Sequence, residues 1–217
     1  MIRYVYADQL SQYPVLAESM FKDRATQFKH RLDWDVTVDA NGWEVDEYDR
    51  LNPLYVIWQN ADGQHGGSVR LMPTTGRIMT NEHFLDLTGG VRIASPLIWE
   101  CTRFCLAPDT SAGVAAGLLA AGVELGLRFG LEQALGVIYT KTVPLYRRIG
   151  SEPDVLGSRG EGRDRISVGL WEISEERRAE ISRRSGIPLS AIARWFDASF
   201  EAGGSAMPAI DDQRVAA

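Results

Sequence analysis

The chain has few of the residues that build cross-links or metal sites, and nothing that builds a membrane span. Its 217 residues include two cysteines and three histidines. Cys101 and Cys105 lie four apart on one expected strand, on the same side but too far apart to bridge, so they are expected to be reduced core thiols. His30, His65 and His83 share no ligand spacing with them, and no metal is expected. No apolar run approaches the ~20 residues that cross a bilayer, and no charged-then-apolar leader opens the chain, so a cytoplasmic protein without a membrane partner is expected. Basic residues are in deficit, 23 Lys and Arg against 29 Asp and Glu for a net charge of -6, which argues against a nucleic-acid surface. No internal repeat or heptad array is visible.

A hydrophobic content of 45% over this length can bury one sizeable core. One domain is expected over residues 1–200, followed by a small, polar, aperiodic tail over 201–217 expected to be disordered. Residues 7–30 read as helix, with Pro14 a possible interruption. Residues 54–59 and 68–72 read as strands around the turn-rich NADGQHGG, residues 97–106 as a central strand closed by Pro108. A helix over 112–129, a strand over 134–140, a short helix over 143–149 and a strand over 165–171 follow. Residues 174–200 read as two helices broken at Ser185 to Pro188. The break gives them a helix-turn-helix look, but Ile192, Trp195 and Phe196 are spaced to pack one helix on the sheet, which is the stronger reading. The order predicts an α/β protein, a three-layer α-β-α sandwich with a mixed central sheet.

Against this background stands a set of charged and aromatic side chains that core packing does not call for: Arg24, Phe28, Trp34, Asp46, Asp49, Arg70, Phe84, Glu100 and Arg103. Arg24 and Phe28 share one helical face, a cationic and aromatic corner. The stretch from Asp33 to Arg50 holds seven carboxylates and one basic residue and favours a cation. Together they suit a small zwitterionic ligand that carries a positive charge and a flat ring.

Five pieces in order carry a family resemblance: R-x3-F-x5-W at Arg24, Phe28 and Trp34; E-x-D-x-Y-D at Glu44 to Asp49; SVRLMPTTG at Ser68 to Gly76; NEHF ending at Phe84; and WECTRF at Trp99 to Phe104. Over roughly residues 1–170 the chain resembles the acyl-homoserine-lactone synthases, the LuxI-type autoinducer synthases. Arg77 departs from the expected Pro, and the segment after Trp171 looks lineage-specific. The resemblance implies a fold similar to the N-acetyltransferases. It also implies that Thr110 to Ala115 (TSAGVA) is similar to their pyrophosphate-holding turn at a helix N-terminus, although Thr110 replaces the usual Gln or Arg, and a plain helix-starting turn is the alternative.

The implied reaction joins S-adenosylmethionine, as substrate rather than cofactor, to an acyl group carried by acyl carrier protein or coenzyme A. The alternative is an N-acetyltransferase using acetyl-coenzyme A. By the resemblance, Glu100 is the candidate base, with a structural pair to Arg103 as its alternative. Three apart on a regular strand, those two would face opposite sides unless a bulge intervened. Arg24 and Arg103 would hold the substrate carboxylate, and Phe28, Trp34 and Phe84 would wall its pocket. Asp46, Asp49 and Arg70 would shape its electrostatics. Val137, Tyr139, Thr140, Thr142, Leu145 and Tyr146 are acyl-pocket candidates, with a hydroxyl of Thr140 or Thr142 available to read a 3-oxo group. Arg128, Arg147 and Arg148 are candidates for docking an acidic carrier protein, the alternative being exposed helix ends that favour positive charge.

Overall fold

Strands β1 (Ile2–Tyr6), β2 (Leu54–Gln59), β3 (His65–Pro73), β4 (Ile98–Leu106), β5 (Gln133–Tyr139), β6 (Asp154–Arg159) and β7 (Ile166–Glu172) form one sheet in the order β1-β2-β3-β4-β5-β7-β6. Neighbours run antiparallel except β4 and β5, which are parallel. The computed structural model describes residues 1–108 and 110–200, so the expected disordered tail lies outside the described residues. β1 and β6 are edge strands absent from the sequence reading. IRYVY pairs with β2 along its whole length, from Ile2 opposite Trp58 to Tyr6 opposite Leu54. β6, with Val155 and Leu156 exposed, carries no inward-outward alternation to betray it.

The expected helix over 7–30 is three pieces. A 3-10 segment (Ala7–Gln12) leads to α1 (Pro14–Arg24), which Pro14 starts rather than interrupts because its missing N–H falls where a helix has no acceptor for it. The chain then widens into a π-helix over Ala25–Arg31, a form that recurs at functional sites. α1 packs Leu16, Met20 and Phe21 on Tyr55 and Ile57. On the same face, α2 (Met79–His83) and the turn after it cover β5 and β7, with Ile78 and Leu87 against Leu135 and Val168.

The opposite face carries α3 (Ala112–Arg128), α5 (Glu175–Ser185) and α6 (Leu189–Phe200), while α4 (Val143–Ile149) follows β5. Val114, Leu118, Ala121 and Leu125 of α3 meet Leu54, Val56, Val69 and Leu71 of the sheet, joined by Phe196 of α6. Ile181 and Ile192 are fully buried beside Ala120 and Val123, so α5 and α6 spend their apolar faces on α3 and the sheet. The packing reading of these helices accounts for them, and the three layers are as expected.

Two irregularities of β4 create the site. The first is a bulge: Ser68 pairs with Cys105 but Arg70 with Thr102, so Val69 alone opposes Arg103 and Phe104. Arg103 adopts φ 53, the left-handed conformation that bulges of this kind assign to glycine and that strains a side-chain-bearing residue by about 1 kcal/mol or more. The bulge re-phases the strand. Trp99, Cys101, Phe104 and Leu106 pack toward α3, while Arg103 joins Thr102 on the opposite face. The two cysteines therefore do not share a side: Cys101 packs toward α3, and Cys105 lies near the charges of Asp23, Arg24 and Glu44. Both are free thiols, and burial pushes each up to about 12. The second irregularity is divergence: β4 and β5 pair only from Ile98 opposite Gln133 to Glu100 opposite Leu135, then separate.

Candidate active site

Arg103, turned by the bulge, completes a network of three arginines and three carboxylates. Arg24, at the end of α1, donates from Nε to Glu44 at 2.7 Å and from both terminal nitrogens to Asp49 at 3.0 and 2.9 Å. Arg70, on β3, binds both oxygens of Asp46, donates to Asp49 Oδ1 at 2.7 Å and, from Nε, to Thr102 Oγ1 at 2.9 Å. Arg103 reaches Glu44 at 3.0 Å and Asp46 at 2.9 Å. The loop that brings the carboxylates is locally determined: Asp46 caps a 3-10 segment (Glu47–Leu51) by accepting from the N–H groups of Tyr48 and Asp49, and Asp49 accepts in return from the Asp46 N–H.

Three positive charges against three negative ones leave this wall close to neutral, which explains how it can be buried. Burial alone would lower the Arg24 pKa, but Asp49 and Glu44 raise it above its ordinary value. Burial likewise pushes the Asp49 carboxyl up, and Arg24 and Arg70 reverse this and hold it well below the usual carboxylate range. Tyr55 donates to Asp49 Oδ1 at 2.5 Å.

Glu100 is separate from this network. Its carboxylate, fully buried, accepts from the backbone N–H groups of Met79 (3.0 Å) and Thr80 (2.7 Å) at the start of α2. Burial raises its pKa above the ordinary carboxylate value, against the opposing pull of these hydrogen bonds and of Arg70. The bulge does place Arg103 on the Glu100 face, yet among the described residues no ion pair joins the two: Arg103 is taken by Glu44 and Asp46. The structural-pair alternative for Glu100 is therefore not what the structure contains.

A cavity of about 1220 Å³ opens where β4 and β5 separate. Its wall on the α1 side includes Phe28, Trp34, Met79, Phe84, Thr102 and Arg103, and on the α3 side Leu118, Leu119, Gly122 and Val123. Phe28 and Trp34 stack at 4.9 Å with the Arg103 guanidinium 5.4 Å from the Phe28 ring centre, and the Trp34 indole N–H donates to the Tyr139 hydroxyl at 2.6 Å. Arg24, Asp46, Asp49, Arg70 and Glu100 stand behind this wall rather than on it. Arg24 has only 1% of its side chain exposed, against 10% for Arg103. Of the acyl-pocket candidates, Val137, Tyr139, Thr142, Leu145 and Tyr146 line the cavity. Thr140 does not: its hydroxyl is paired with Ser167 at 2.7 Å. The Thr142 hydroxyl donates to the Tyr139 carbonyl at 2.7 Å. Thr110 and Ala115 also line the cavity, next to the start of α3, where no side chain caps the first turn.

The three dock candidates do not form one free basic patch. Arg128 is held by Glu124 and Asp197, and Arg147 by Glu152, while Arg184 donates to the carbonyls of Arg147 and the exposed Arg148. Arg77, which departs from the family pattern, pairs with Glu82 at the surface. Among the described residues, Glu47, Glu82 and His83 are close enough to share a cation, but all three are exposed and Glu82 is already occupied by Arg77 and Tyr48. Glu44, Tyr55, Thr102 and the N–H groups of Met79 and Thr80 join the site without being among the residues the sequence singles out. Glu44 had a signal, as the first acid of the E-x-D-x-Y-D run. Tyr55 and Thr102 read as ordinary strand residues, and backbone donors leave no trace in residue type.

Residues 8–181 match the Autoinducer synthase family. The chain is 37% identical over 196 residues to an acyl-homoserine-lactone synthase of Rhizobium etli, covering 84% of this chain and 91% of that one. Its fold is similar to that of a CoA-dependent acyl-homoserine lactone synthase, MesI (TM-score 0.77, 26% identity, 87% and 96% of the two chains). It is equally similar to BjaI, a CoA-dependent synthase solved with SAM and isopentyl-CoA (TM-score 0.77, 25% identity, 90% and 98%). An N-acetyltransferase from Lactobacillus plantarum shares the fold alone, with a TM-score of 0.52 at 13% identity.

Proposed function

The chain belongs to the autoinducer synthase family, and we propose that its cavity seats both substrates of an acyl-homoserine-lactone synthase, with Glu100 moving the proton. The reaction is acyl transfer. The α-amine of S-adenosylmethionine attacks the thioester carbonyl of an acyl-acyl carrier protein or acyl-coenzyme A, an amide forms and the thiol leaves. The carboxylate then attacks the carbon beside the sulfonium, the carbon–sulfur bond breaks, methylthioadenosine departs and the lactone ring closes.

The observation that carries the assignment of residues is the bulge at Arg103, which sets its guanidinium beside the stacked Phe28 and Trp34 on the wall of the cavity between β4 and β5. Arg103 meets the substrate carboxylate, because of the three arginines it is the one on the wall. Phe28, Trp34 and Phe84 enclose the adenosyl and sulfonium groups. Arg24, Arg70, Asp46 and Asp49 act through Arg103: with Glu44 they fix where its fork points. An α-amine is largely protonated at neutral pH, so it must lose a proton to attack. Glu100, held by the N–H groups of Met79 and Thr80 behind the cavity wall, takes that proton through an intervening water, and a carboxyl whose pKa is raised is a better base for it. The thioester arm enters past Thr110 and the N-terminus of α3, and the acyl chain lies beside Val137, Tyr139, Thr142 and Tyr146. Thr140 has no place on that path.

Incubation with S-adenosylmethionine and a series of acyl thioesters tests the reading: methylthioadenosine and an acyl-homoserine lactone are the expected products. An acetyltransferase would acetylate an added amine and release no methylthioadenosine, and that result would sink the assignment.

A further inference from the structure

Glycine inside a helix is unfavourable relative to alanine, because it gives up more backbone freedom, so an interior glycine calls for a packing reason. Two glycines of α3 have one. A Cβ at Gly117 would lie 2.5 Å from the Trp58 ring, and one at Gly126 would lie 2.7 Å from the Ile173 side chain. Gly122 has none, since a Cβ there would meet nothing within 4 Å. It lies one turn before Gly126, on the helical face of Ala115, Leu118 and Leu119; these three and Gly122 line the cavity, and Gly126 does not. The space that Ile173 fills at Gly126 is therefore cavity at Gly122.

We propose that Gly122 determines acyl-chain specificity: its missing side chain keeps the α3 wall open for the distal part of a long donor acyl chain. This rests on the synthase reading above. α3 covers the sheet face opposite to Arg103 and Glu100, so an acyl group whose carbonyl reacts beside Arg103 must pass between β4 and β5 before it meets α3. A butanoyl group ends within the sheet, whereas a decanoyl group extends beyond it to Gly122. The wall it meets there, with Leu119, Val123, Ile149 and Ile173, is aliphatic, so the distal part is plain hydrocarbon.

Turnover of butanoyl and decanoyl thioesters by the full chain and by Gly122→Leu and Gly122→Ala tests this. Gly122→Leu is expected to lower kcat/KM for the decanoyl donor roughly tenfold or more while leaving the butanoyl donor within about twofold. Gly122→Ala, which meets no neighbour, is expected to raise Tm and shift the same ratio in the same direction by a smaller factor, so it decides the matter should the leucine variant not fold. A decanoyl-to-butanoyl ratio unchanged in the folded variants overturns the proposal, as does a wild-type enzyme that uses butanoyl but not decanoyl donors. Thermal shift by decanoyl-pantetheine without S-adenosylmethionine separates the two readings. A shift that Gly122→Leu abolishes, in a protein that makes no lactone, keeps the channel and removes the synthase assignment; neither shift nor lactone removes both.

Discussion

On the side of the cavity formed by β3, β4 and residues 44–49, three arginines and three carboxylates interlock, and Tyr55 and Thr102 supply hydrogen bonds at the edge. On the side formed by α3 and β5, Leu118, Leu119 and Val137 share the wall with glycines at 122 and 136. The first side is specified atom by atom, and removal of any member strands a buried charge. The second is specified by volume, and what matters there is which space stays empty. On the proposed reading the two walls answer to two substrates: S-adenosylmethionine has one fixed set of charges, whereas the distal parts of acyl chains differ mainly in apolar volume.

Glu100 offers the largest test of this contrast, since it lies on the polar side without belonging to its ion pairs. Glu100→Gln is expected to slow lactone formation by ~10²–10⁴-fold. The fold should survive, because the amide oxygen still accepts from Met79 or Thr80 and the cost of burying a charge is gone. Calorimetry should show S-adenosylmethionine binding within a few-fold of wild type, and turnover equal to wild type would remove Glu100 from the mechanism. Because its pKa is raised, the acid limb of kcat/KM should lie above the ordinary carboxylate value in wild type and be missing from any residual activity of the variant.

Next in size is the network itself. Glu44 is fully buried between Arg24 and Arg103, so Glu44→Gln leaves two guanidinium groups sharing too little negative charge. Breaking a buried pair in this way costs about 3–5 kcal/mol, seen as a Tm lower by roughly 6–20 °C. The exposed Arg77–Glu82 pair is the control: Glu82→Gln should change Tm by no more than a degree or two, since surface pairs contribute little. Equal losses in the two variants would mean that the network is not the interlocked element described above.

The same wall predicts a dependence on acidity. Asp49 titrates below its value in the unfolded chain, so its contribution to stability is complete above about pH 4 and disappears as the pH falls through the native value. Glu100 has the opposite sign: its raised pKa favours folding at low pH, and that contribution is lost as the pH rises through the native value. Urea unfolding from pH 7 to pH 3 should therefore show stability falling below about pH 4 in wild type, and a shallower fall in Asp49→Asn from a lower starting point.

The two walls also differ in how far they can be read from sequence. Arg24, Asp46, Asp49, Arg70 and Arg103 are legible because only arginine and the acidic residues make paired hydrogen bonds between buried charges, so chemistry narrows identity as well as spacing. Even so, the sequence supports the bulge only conditionally. Nothing in T-R-F announces that Arg103 takes φ 53, so regular alternation puts the cysteines on one face when they occupy two. The acyl wall is less legible, because leucine, valine and isoleucine exchange places at little cost when volume is kept. Thr140 qualifies on residue type, and only the fold shows its hydroxyl spent on Ser167. Gly122 was invisible for a related reason: a glycine in an Ala-rich helix reads as close packing, and at 117 and 126 that is what it is.

The smallest effect is expected where the two walls touch. The Trp34 indole crosses from the aromatic stack on Phe28 to the Tyr139 hydroxyl at the end of β5, one hydrogen bond joining the polar side to the acyl side. Trp34→Phe keeps a ring on Phe28 and loses that bond, as Tyr139→Phe does from the other end. Each should cost about 0.5–1.5 kcal/mol, a few-fold in KM, and the double variant should cost little more than either single one. Kinetics in both substrates then locate the bond's effect. If KM rises for S-adenosylmethionine and for the acyl donor together, the bridge couples the two sites. If only the S-adenosylmethionine value moves, Tyr139 serves as a buttress for Trp34 and the two walls work independently.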